Sequence, residues 1–233
     1  MQNTNSQNIT LIADPKVISI PIIENRDPFV DLIDQKIIAF GPSPEVPNNT
    51  DYTKMRQTVY NRIVQAQNLL PTGMRICLYE CYRSLNLQTQ LFMNRYNIIR
   101  DHHPKWSEEQ LFNETTKLVS PIMNFDGSQN IPPHSTGGAI DIYLVDEKGH
   151  PLDMGIHPKD WMDNEDGTVS QTNSTLISKE AQTNRDTMNK ALEAVGFINY
   201  PTEYWHWSYG DRYWAYQLGQ PHAIYGPLET SGI

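Results

Sequence analysis

The spacing of apolar residues changes between a helical and an alternating pattern several times along the chain. Pro71 and Gly73 end a stretch of helical spacing. In the next segment, 74–79, apolar residues alternate with other residues, which predicts a strand. The face of the preceding predicted helix is formed by Met55, Val59, Ile63, Ala66 and Leu70.

Serine residues mark the start of three further predicted helices. Ser84 is placed to cap a helix that runs to about Ile99. Ser107–Gln110 has the pattern of a capping box and opens a helix that runs to about Val119. A third helix is predicted over 178–196, where Gly196 provides the end signal. Its apolar face consists of Met188, Leu192 and Val195.

The second half of the chain also contains strand-like segments joined by short connections. Segment 139–145 is followed by a turn, so 150–155 is predicted to be the return strand of a hairpin. Segments 197–200 and 203–209 predict two more strands. Because the connections are short, we expect an α+β fold with a central, mostly antiparallel sheet and helices packed on it.

The first 50 residues differ from the rest because they are rich in Asn and Pro. We expect residues 1–50 to form an N-terminal arm with one or two edge strands, from the β-branched segments 16–23 and 36–40. Pro21 argues against a central strand in the first of these segments. The sequence has no internal repeat, and we expect a single domain over residues 1–233.

Composition excludes several functional classes. The 233 residues carry a formal net charge of -9 without a cluster of Lys or Arg, so we expect no nucleic-acid partner. No segment approaches the ~20 apolar residues of a membrane span, and the N-terminus lacks the pattern of a signal peptide. We therefore expect a cytoplasmic protein, or a periplasmic one if a signal has been removed. Cys77 and Cys81 are interpreted as reduced core thiols.

The segment IPPHSTGGAID, residues 131–141, sets His134 and Asp141 seven residues apart. Imidazole and carboxylate groups are among the three protein ligands of a catalytic zinc site, which keeps a fourth position for water. An odd spacing would point the two side chains to opposite faces of a regular strand. Gly137 and Gly138 allow a turn that holds His134 ahead of a strand containing Asp141. This segment therefore predicts two of three metal ligands.

The segment EYWHW near the C-terminus offers the third ligand, His206, and a carboxylate three residues earlier, Glu203. We expect Glu203 to lie in the loop after Pro201 and His206 to lie in the strand, so that both reach one site. His206 would then bind the metal ion while Glu203 takes the proton of the metal-activated water. Arg83 follows a predicted strand and is the candidate to stabilise the developing oxyanion.

Each of these signals also has a simpler explanation when it is taken alone. A histidine and an aspartate at this spacing are commonly a buried histidine and a capping aspartate. The 203–209 segment is also typical of an aromatic core strand. Arg83 alone is most often a surface cation. Only the combination of the residues favours a catalytic metal site.

The combined motifs resemble a known family. HSTGGAID resembles the HxxGxAxD signature of the zinc D,D-peptidases, which share a fold with the hedgehog signalling domain. EYWH is similar to the ExWH segment of their D-alanyl-D-alanine dipeptidase branch, the VanX-type enzymes. YRS after a strand resembles that branch's YRP, and DWMD at 160–163 resembles its DFMD. The motifs occur in the same order over Tyr79 to Trp207, more than half of the chain.

The resemblance implies a role for each matching residue. It implies one zinc ion held by His134, Asp141 and His206, with Glu203 as the catalytic base and Arg83 as the oxyanion stabiliser. It also implies that Asp160 contacts the ammonium group of the substrate. The family usually has a serine two residues before the first histidine, where this chain has Pro132. Ser135 is the candidate to compensate in substrate binding.

Three functions follow as alternatives from these observations. The first is a zinc dipeptidase that hydrolyses D-Ala-D-Ala to two D-alanines, in glycopeptide resistance, D-alanine salvage or wall recycling. The second is a D,D-carboxypeptidase or endopeptidase that acts on peptidoglycan stem peptides. The third is a catalytically silent zinc-binding protein of the same fold. The presence of both Glu203 and Arg83 favours an enzyme, and the missing wall-binding repeat favours the dipeptidase.

Overall fold

The computed structural model describes residues 9–163 and 167–228. Within these described ranges, seven strands, six helices and four turns of 3-10 helix follow one another. The strands are β1 Phe29–Asp31, β2 Ala39–Phe40, β3 Lys54–Arg56, β4 Arg75–Glu80, β5 Ala139–Val145, β6 Ile198–Tyr200 and β7 Glu203–Ser208. The helices are α1 Pro15–Ile18, α2 Gln57–Leu69, α3 Leu85–His102, α4 Glu108–Thr115, α5 Lys179–Ala194 and α6 Arg212–Gln217.

A five-stranded sheet in the order β2-β4-β5-β7-β6 forms the centre of the fold. β2 runs parallel to β4, and all other neighbours in this sheet are antiparallel. The arm strand β1 pairs separately with β3. These strands and helices confirm the predicted α+β class with a mostly antiparallel sheet.

The register of the central strands aligns three polar residues. Asp141 on β5 lies opposite Glu80 on β4 and opposite His206 on β7. Its neighbours in the strand, Ile140 and Ile142, are fully buried in the core with apolar residues of α2 and α5. Because side chains alternate along a strand, Asp141 points to the opposite face. The sheet therefore separates an apolar core from a polar row.

The predicted helix starts are confirmed by their caps. The Ser84 and Ser178 side chains accept hydrogen bonds at the starts of α3 and α5, and Ser107 forms the full capping box of α4. α4 is shorter than predicted, since it ends at Thr115. α2 begins at Gln57, so Met55 belongs to β3 although it packs in the same core.

One predicted strand is wrong, and a second is much shorter than predicted. The first segment, 16–23, contains the short helix α1, because Asp14 caps it and Pro15 occupies its first position. Only Ile22 makes an isolated bridge, to Ala223. The second, the return strand at 150–155, does turn back along β5, with an antiparallel bridge between Val145 and Pro151 and a 2.9 Å hydrogen bond from the Leu152 amide to the Leu144 carbonyl oxygen, but it goes no further. Proline cannot donate to a ladder, and Gly155 leaves the extended conformation with a φ of 84°.

Both cysteines are free and buried, as the sequence predicts. Cys77 lies within β4, and Cys81 follows directly after the strand. The Cys81 thiol lies 3.1 Å from the carbonyl oxygen of Ala139. Burial raises the pKa of this thiol well above its usual value, which keeps it protonated.

Candidate active site

His134 lies in a tight turn immediately before β5. A 3-10 turn spans Pro133–Thr136 and ends at Gly137, whose φ of 68° is left-handed. A Cβ atom at Gly137 would lie 2.5 Å from a ring carbon of Phe29, so the turn also requires the small size of glycine. The predicted arrangement is confirmed: His134 is held in the turn, and Asp141 lies within the strand.

The side chains of His134, Asp141 and His206 converge, so that their nitrogen and oxygen atoms that could bind a metal ion lie close together. His206 Nδ1 lies 3.1 Å from Asp141 Oδ1 and 3.2 Å from His134 Nε2, and His134 Nε2 lies 3.4 Å from Asp141 Oδ2. Ligand atoms bound about 2.0–2.1 Å from a tetrahedral zinc ion are about 3.3 Å apart. All three residues are at most 5% exposed. The donor set and its spacing therefore fit a metal ion.

Hydrogen bonding and charge prepare these ligands for a cation. His134 Nδ1 lies 2.8 Å from the carbonyl oxygen of Cys81, so the Nδ1–H donates there and Nε2 presents its lone pair to the cluster. Burial opposes ionisation of Asp141, but the two histidines outweigh it and hold its pKa well below the usual range. Burial likewise opposes the charge of His206, and Asp141 outweighs this to raise its pKa. The cluster therefore favours positive charge at its centre.

Glu203 lines the same cavity as the cluster. It is the first residue of β7, so the prediction that it lies in the preceding loop is wrong. The register between β6 and β7 shifts, with Asn199 opposite Trp207 and Tyr200 opposite Glu203. This bulge removes the strict alternation of faces, which allows Glu203 and His206 to face one cavity.

The Glu203 side chain is half-buried in the cavity wall. Burial is the main cause of a pKa raised to about 7, opposed by the positive charge of His206. A pKa near the operating pH is the property of an effective general base. The arrangement can therefore move a proton at the mouth of the metal-binding cluster.

Arg83 follows β4, as predicted, and lines the cavity. Its Nε donates to Glu80 Oε2 at 3.1 Å, its Nη2 donates to the same oxygen, and its Nη1 donates to Gln88 Oε1 at 3.0 Å. Gln88 is itself fixed by a 2.7 Å hydrogen bond from Nε2 to the carbonyl oxygen of Ser120. Burial opposes its charge, but Glu80 outweighs this and holds the Arg83 pKa above its ordinary value. The guanidinium is thus charged and fixed at the cavity wall.

Two predicted substrate-binding residues do not line this cavity. Asp160 lies on a separate depression, together with His157 and Tyr204. Ser135 is 1% exposed, and its hydroxyl donates to the carbonyl oxygen of Pro132 at 2.7 Å. The structure brings the metal cluster, Glu203 and Arg83 together, while Asp160 and Ser135 lie apart from the cavity surface.

Three residues around the cavity were not predicted from the sequence. Glu80 and Gln88 hold Arg83, and Glu45 enters the cavity wall from the N-terminal arm. Glu80 stands three residues before Arg83 at the end of a strand, which is a weak local signal. Glu45 lies in a Pro-rich segment that gave no signal beyond a loop. The remaining wall near Glu203 includes Tyr79, Pro158, Trp161, Tyr200 and Trp205.

Comparisons with known proteins identify relatives that match most of the chain. The sequence profile of the D-ala-D-ala dipeptidase family, within the M15 peptidases, matches residues 53–224. A D-alanyl-D-alanine dipeptidase from Synechocystis sp. is 28% identical over 240 residues, covering 91% of this chain and 96% of that protein. The matched segment includes the proposed metal ligands, Glu203 and Arg83, and begins after Glu45.

Solved structures show more distant likenesses. VanYB in complex with D-Ala-D-Ala is 13% identical, covers 85% of this chain and 92% of its own, and gives a TM-score of 0.42. The LdcB LD-carboxypeptidase is 15% identical, with coverages of 85% and 76% and a TM-score of 0.38. In the described part of the chain, every helix is too short or too polar to cross a bilayer.

Proposed function

The chain belongs to the D-Ala-D-Ala dipeptidase family of M15 peptidases, and from this premise we propose that it is a zinc enzyme that hydrolyses free D-Ala-D-Ala to two D-alanines. One observation carries the proposal. One ring nitrogen each of His134 and His206 and the two carboxylate oxygens of Asp141 approach one another at 3.1–3.4 Å, which is the spacing of ligand atoms around tetrahedral zinc. The cavity beside them also contains Glu203 and Arg83. We propose one ion, held by His134, Asp141 and His206.

Each side chain then has a distinct task. A zinc ion at this site would act as a Lewis acid and would lower the pKa of a water molecule bound to it to about 7. Glu203 in its carboxylate form accepts the proton of the attacking water and delivers it to the leaving amine. Because burial raises the pKa of Glu203 to about 7, this carboxyl is suited to both halves of the transfer.

Arg83 provides the second positive group. Its guanidinium has one N–H on each terminal nitrogen beyond those that bond Glu80 and Gln88. These donors are available to the oxygen of the scissile carbonyl as negative charge develops on it. Because Arg83 is fixed before the reaction, little reorganisation is needed when the charge appears.

The proposed substrate also suggests a compartment. Free D-Ala-D-Ala is a cytoplasmic building block, whereas cross-linked wall lies outside the membrane. We therefore propose that the protein acts in the cytoplasm. Fractionation of the native host, with the protein followed by antibody, is expected to find it with cytoplasmic markers. Recovery with wall or periplasmic fractions would oppose this proposal.

The first test is D-alanine release from D-Ala-D-Ala by the zinc-loaded protein. Glu203→Gln is expected to lower kcat by roughly 10²–10⁴-fold, the usual contribution of a general base. Glu193→Gln, at an exposed position of α5, is the matched control and should retain wild-type activity. Zinc content measured for each variant separates loss of the base from loss of the ion.

The outcome that contradicts the proposal is specific. If Glu203→Gln keeps kcat within about tenfold of wild type, Glu203 is not the base. If the wild-type protein trims D-alanine from N-acetylated D-Ala-D-Ala or stem pentapeptides but not from the free dipeptide, the carboxypeptidase alternative replaces the dipeptidase. Bound zinc without hydrolysis of any of these peptides would identify a silent binding protein.

A further inference from the structure

The N-terminal arm delivers a carboxylate to the cavity through a parallel strand pair. Ala39 and Phe40 of β2 lie beside Cys77 and Leu78 of β4 and run in the same direction. The chain after β2 therefore travels toward the end of β4, where Glu80 and Arg83 lie. The Gly41 amide donates to the carbonyl oxygen of Leu78 at 3.3 Å, which continues the pairing.

The segment that carries Glu45 is held from its other side as well. The Tyr52 hydroxyl donates to the carbonyl oxygen of Gly41 at 2.6 Å. The Asn49 amide donates to the carbonyl oxygen of Val46 at 3.1 Å, which closes the turn after Glu45. Glu45 thus reaches the cavity wall on an anchored segment, where it lines the same space as Arg83 and Glu203.

The Glu45 carboxylate is half-buried and has no hydrogen bond or ion pair within the described ranges. The cation that acts on it, Arg83, already bonds Glu80 and Gln88. Burial, and next the negative charge of Glu80, raises the pKa of Glu45. A half-buried carboxylate that has no cation of its own is available to pair with a cation that enters the cavity.

The substrate of the proposed reaction supplies such a cation. A free dipeptide carries one carboxylate and one ammonium group. Of the carboxylates of the described residues that line the cavity, Asp141 belongs to the proposed metal site and Glu203 is the proposed base. Glu45 is the carboxylate left over. Asp160, the residue expected for this contact from sequence, lies on another depression.

We propose that Glu45 binds the ammonium group of the dipeptide and makes the enzyme selective for substrates with a free amino end. This inference rests on the proposed function. It assigns substrate selection to the N-terminal arm, whereas the chemistry resides on the central sheet and the turn before it. Glu45 stands outside the matched family segment, 53–224, on the N-terminal arm.

The test compares Glu45→Gln with wild type on D-Ala-D-Ala. Loss of a charge-assisted hydrogen bond is expected to raise KM on the order of 10- to 100-fold, while kcat and zinc content stay close to wild type. Asp34→Asn removes the same charge from an exposed position of the arm outside the cavity lining. This matched control should keep the wild-type KM. Glu45→Asp keeps the charge and should give an intermediate KM.

A substrate analogue identifies the group that is recognised. Propionyl-D-alanine has the shape of the dipeptide but a hydrogen atom in place of the ammonium group. Its inhibition constant should exceed the dipeptide KM by on the order of 10- to 100-fold in wild type, and by much less in Glu45→Gln. An unchanged dipeptide KM in Glu45→Gln overturns the inference. Equal losses on dipeptide and analogue also overturn it, since they would mean that Glu45 acts through Arg83.

Failure of this inference can be distinguished from failure of the proposed function. If wild type hydrolyses the dipeptide while Glu45→Gln has wild-type KM, only the assignment of Glu45 is wrong. If wild type releases no D-alanine, the proposed function fails. Calorimetric titration of D-Ala-D-Ala into both proteins then still decides the role of Glu45. Equal dissociation constants would refute it, and weaker binding by the variant would support it.

Discussion

At the scale of single residues, Arg83 is defined by the two side chains that hold it. Glu80 contributes charge, and Gln88 contributes a neutral acceptor that is tied to the backbone at Ser120. Gln88 is only 2% exposed and lies in the first turn of α3. Its position makes it a positioning residue, since it fixes the direction of the guanidinium.

If Gln88 acts by positioning Arg83, the effect of substituting Gln88 should depend on the presence of Arg83. Gln88→Met keeps the approximate volume but removes both hydrogen bonds, so we expect kcat to fall by about tenfold with KM and zinc content unchanged. In an Arg83→Met background, the same substitution should have little further effect, because the group that it positions is gone. Long incubations with D-Ala-D-Ala measure the rate of D-alanine release in both backgrounds.

A structural role of Gln88 would give another pattern. If Gln88→Met lowered kcat equally in both backgrounds, its effect would not pass through Arg83, and the prediction would be wrong. Gln90→Met is the matched control, because Gln90 lies on the same helix but outside the cavity lining. It is expected to leave kcat unchanged in both backgrounds.

At the scale of elements, the turn before β5 determines whether the proposed metal ligands can meet. Gly137 has a φ of 68°, and a Cβ atom there would lie 2.5 Å from the Phe29 ring. Gly137→Ala is therefore expected to lower the free energy of unfolding by about 1–3 kcal/mol from backbone strain alone. It should also weaken zinc binding, because the displaced turn carries His134.

Gly149→Ala separates the effect of backbone strain from the effect of the contact with Phe29. Gly149 also has a positive φ, 85°, but a Cβ atom there would meet no other atom of the described residues within 4 Å. It should show the backbone cost without any change in zinc affinity. Denaturant unfolding and zinc competition measure the two quantities. If both variants lost stability equally and bound zinc equally well, the contact with Phe29 and the displacement of His134 would be refuted.

Local sequence patterns predict some elements of this fold and some residues of the site, but not others. The proposed metal ligands and Glu203 lie in two short motifs whose combination can be recognised in the sequence. The bulge in β7 cannot, because it depends on pairing with Asn199 of β6. The role of Glu45 depends on a parallel pair between β2 and β4, which no local pattern specifies. Segment 16–23 is misassigned because its β-branched residues outweigh the Asp14 cap.

At the scale of the whole molecule, Arg56 joins the arm to the active-site turn. It is 3% exposed. Its amide donates to the Gly137 carbonyl oxygen at 3.1 Å, and its Nε donates to the Thr136 carbonyl oxygen at 2.9 Å. Its Nη2 forms an ion pair with Glu24 at 2.9 Å. The guanidinium also lies 4.9 Å from the ring centre of Tyr225, near the C-terminus. One side chain therefore connects three distant parts of the chain.

Arg56→Met tests whether this connection supports the site as well as the fold. Removing a buried cation leaves several acceptors unpaired, and we expect the free energy of unfolding to fall by about 2–4 kcal/mol. Part of the ion pair is exposed on the Glu24 side, which keeps this value below that of a fully buried pair. Urea unfolding measures the change. Arg26→Met, at an exposed position of the arm, should be nearly neutral.

The kinetic consequence follows from the placement of Glu45 on the same arm. If Arg56 secures the arm, then Arg56→Met should raise the KM for D-Ala-D-Ala under conditions where the variant remains folded, and a Glu45→Gln background should remove most of that increase. An increase of equal size in both backgrounds would mean that Arg56 acts through the His134 turn, and zinc affinity would then fall in parallel. Substrate recognition and metal binding are therefore separable in one molecule by this pair of measurements.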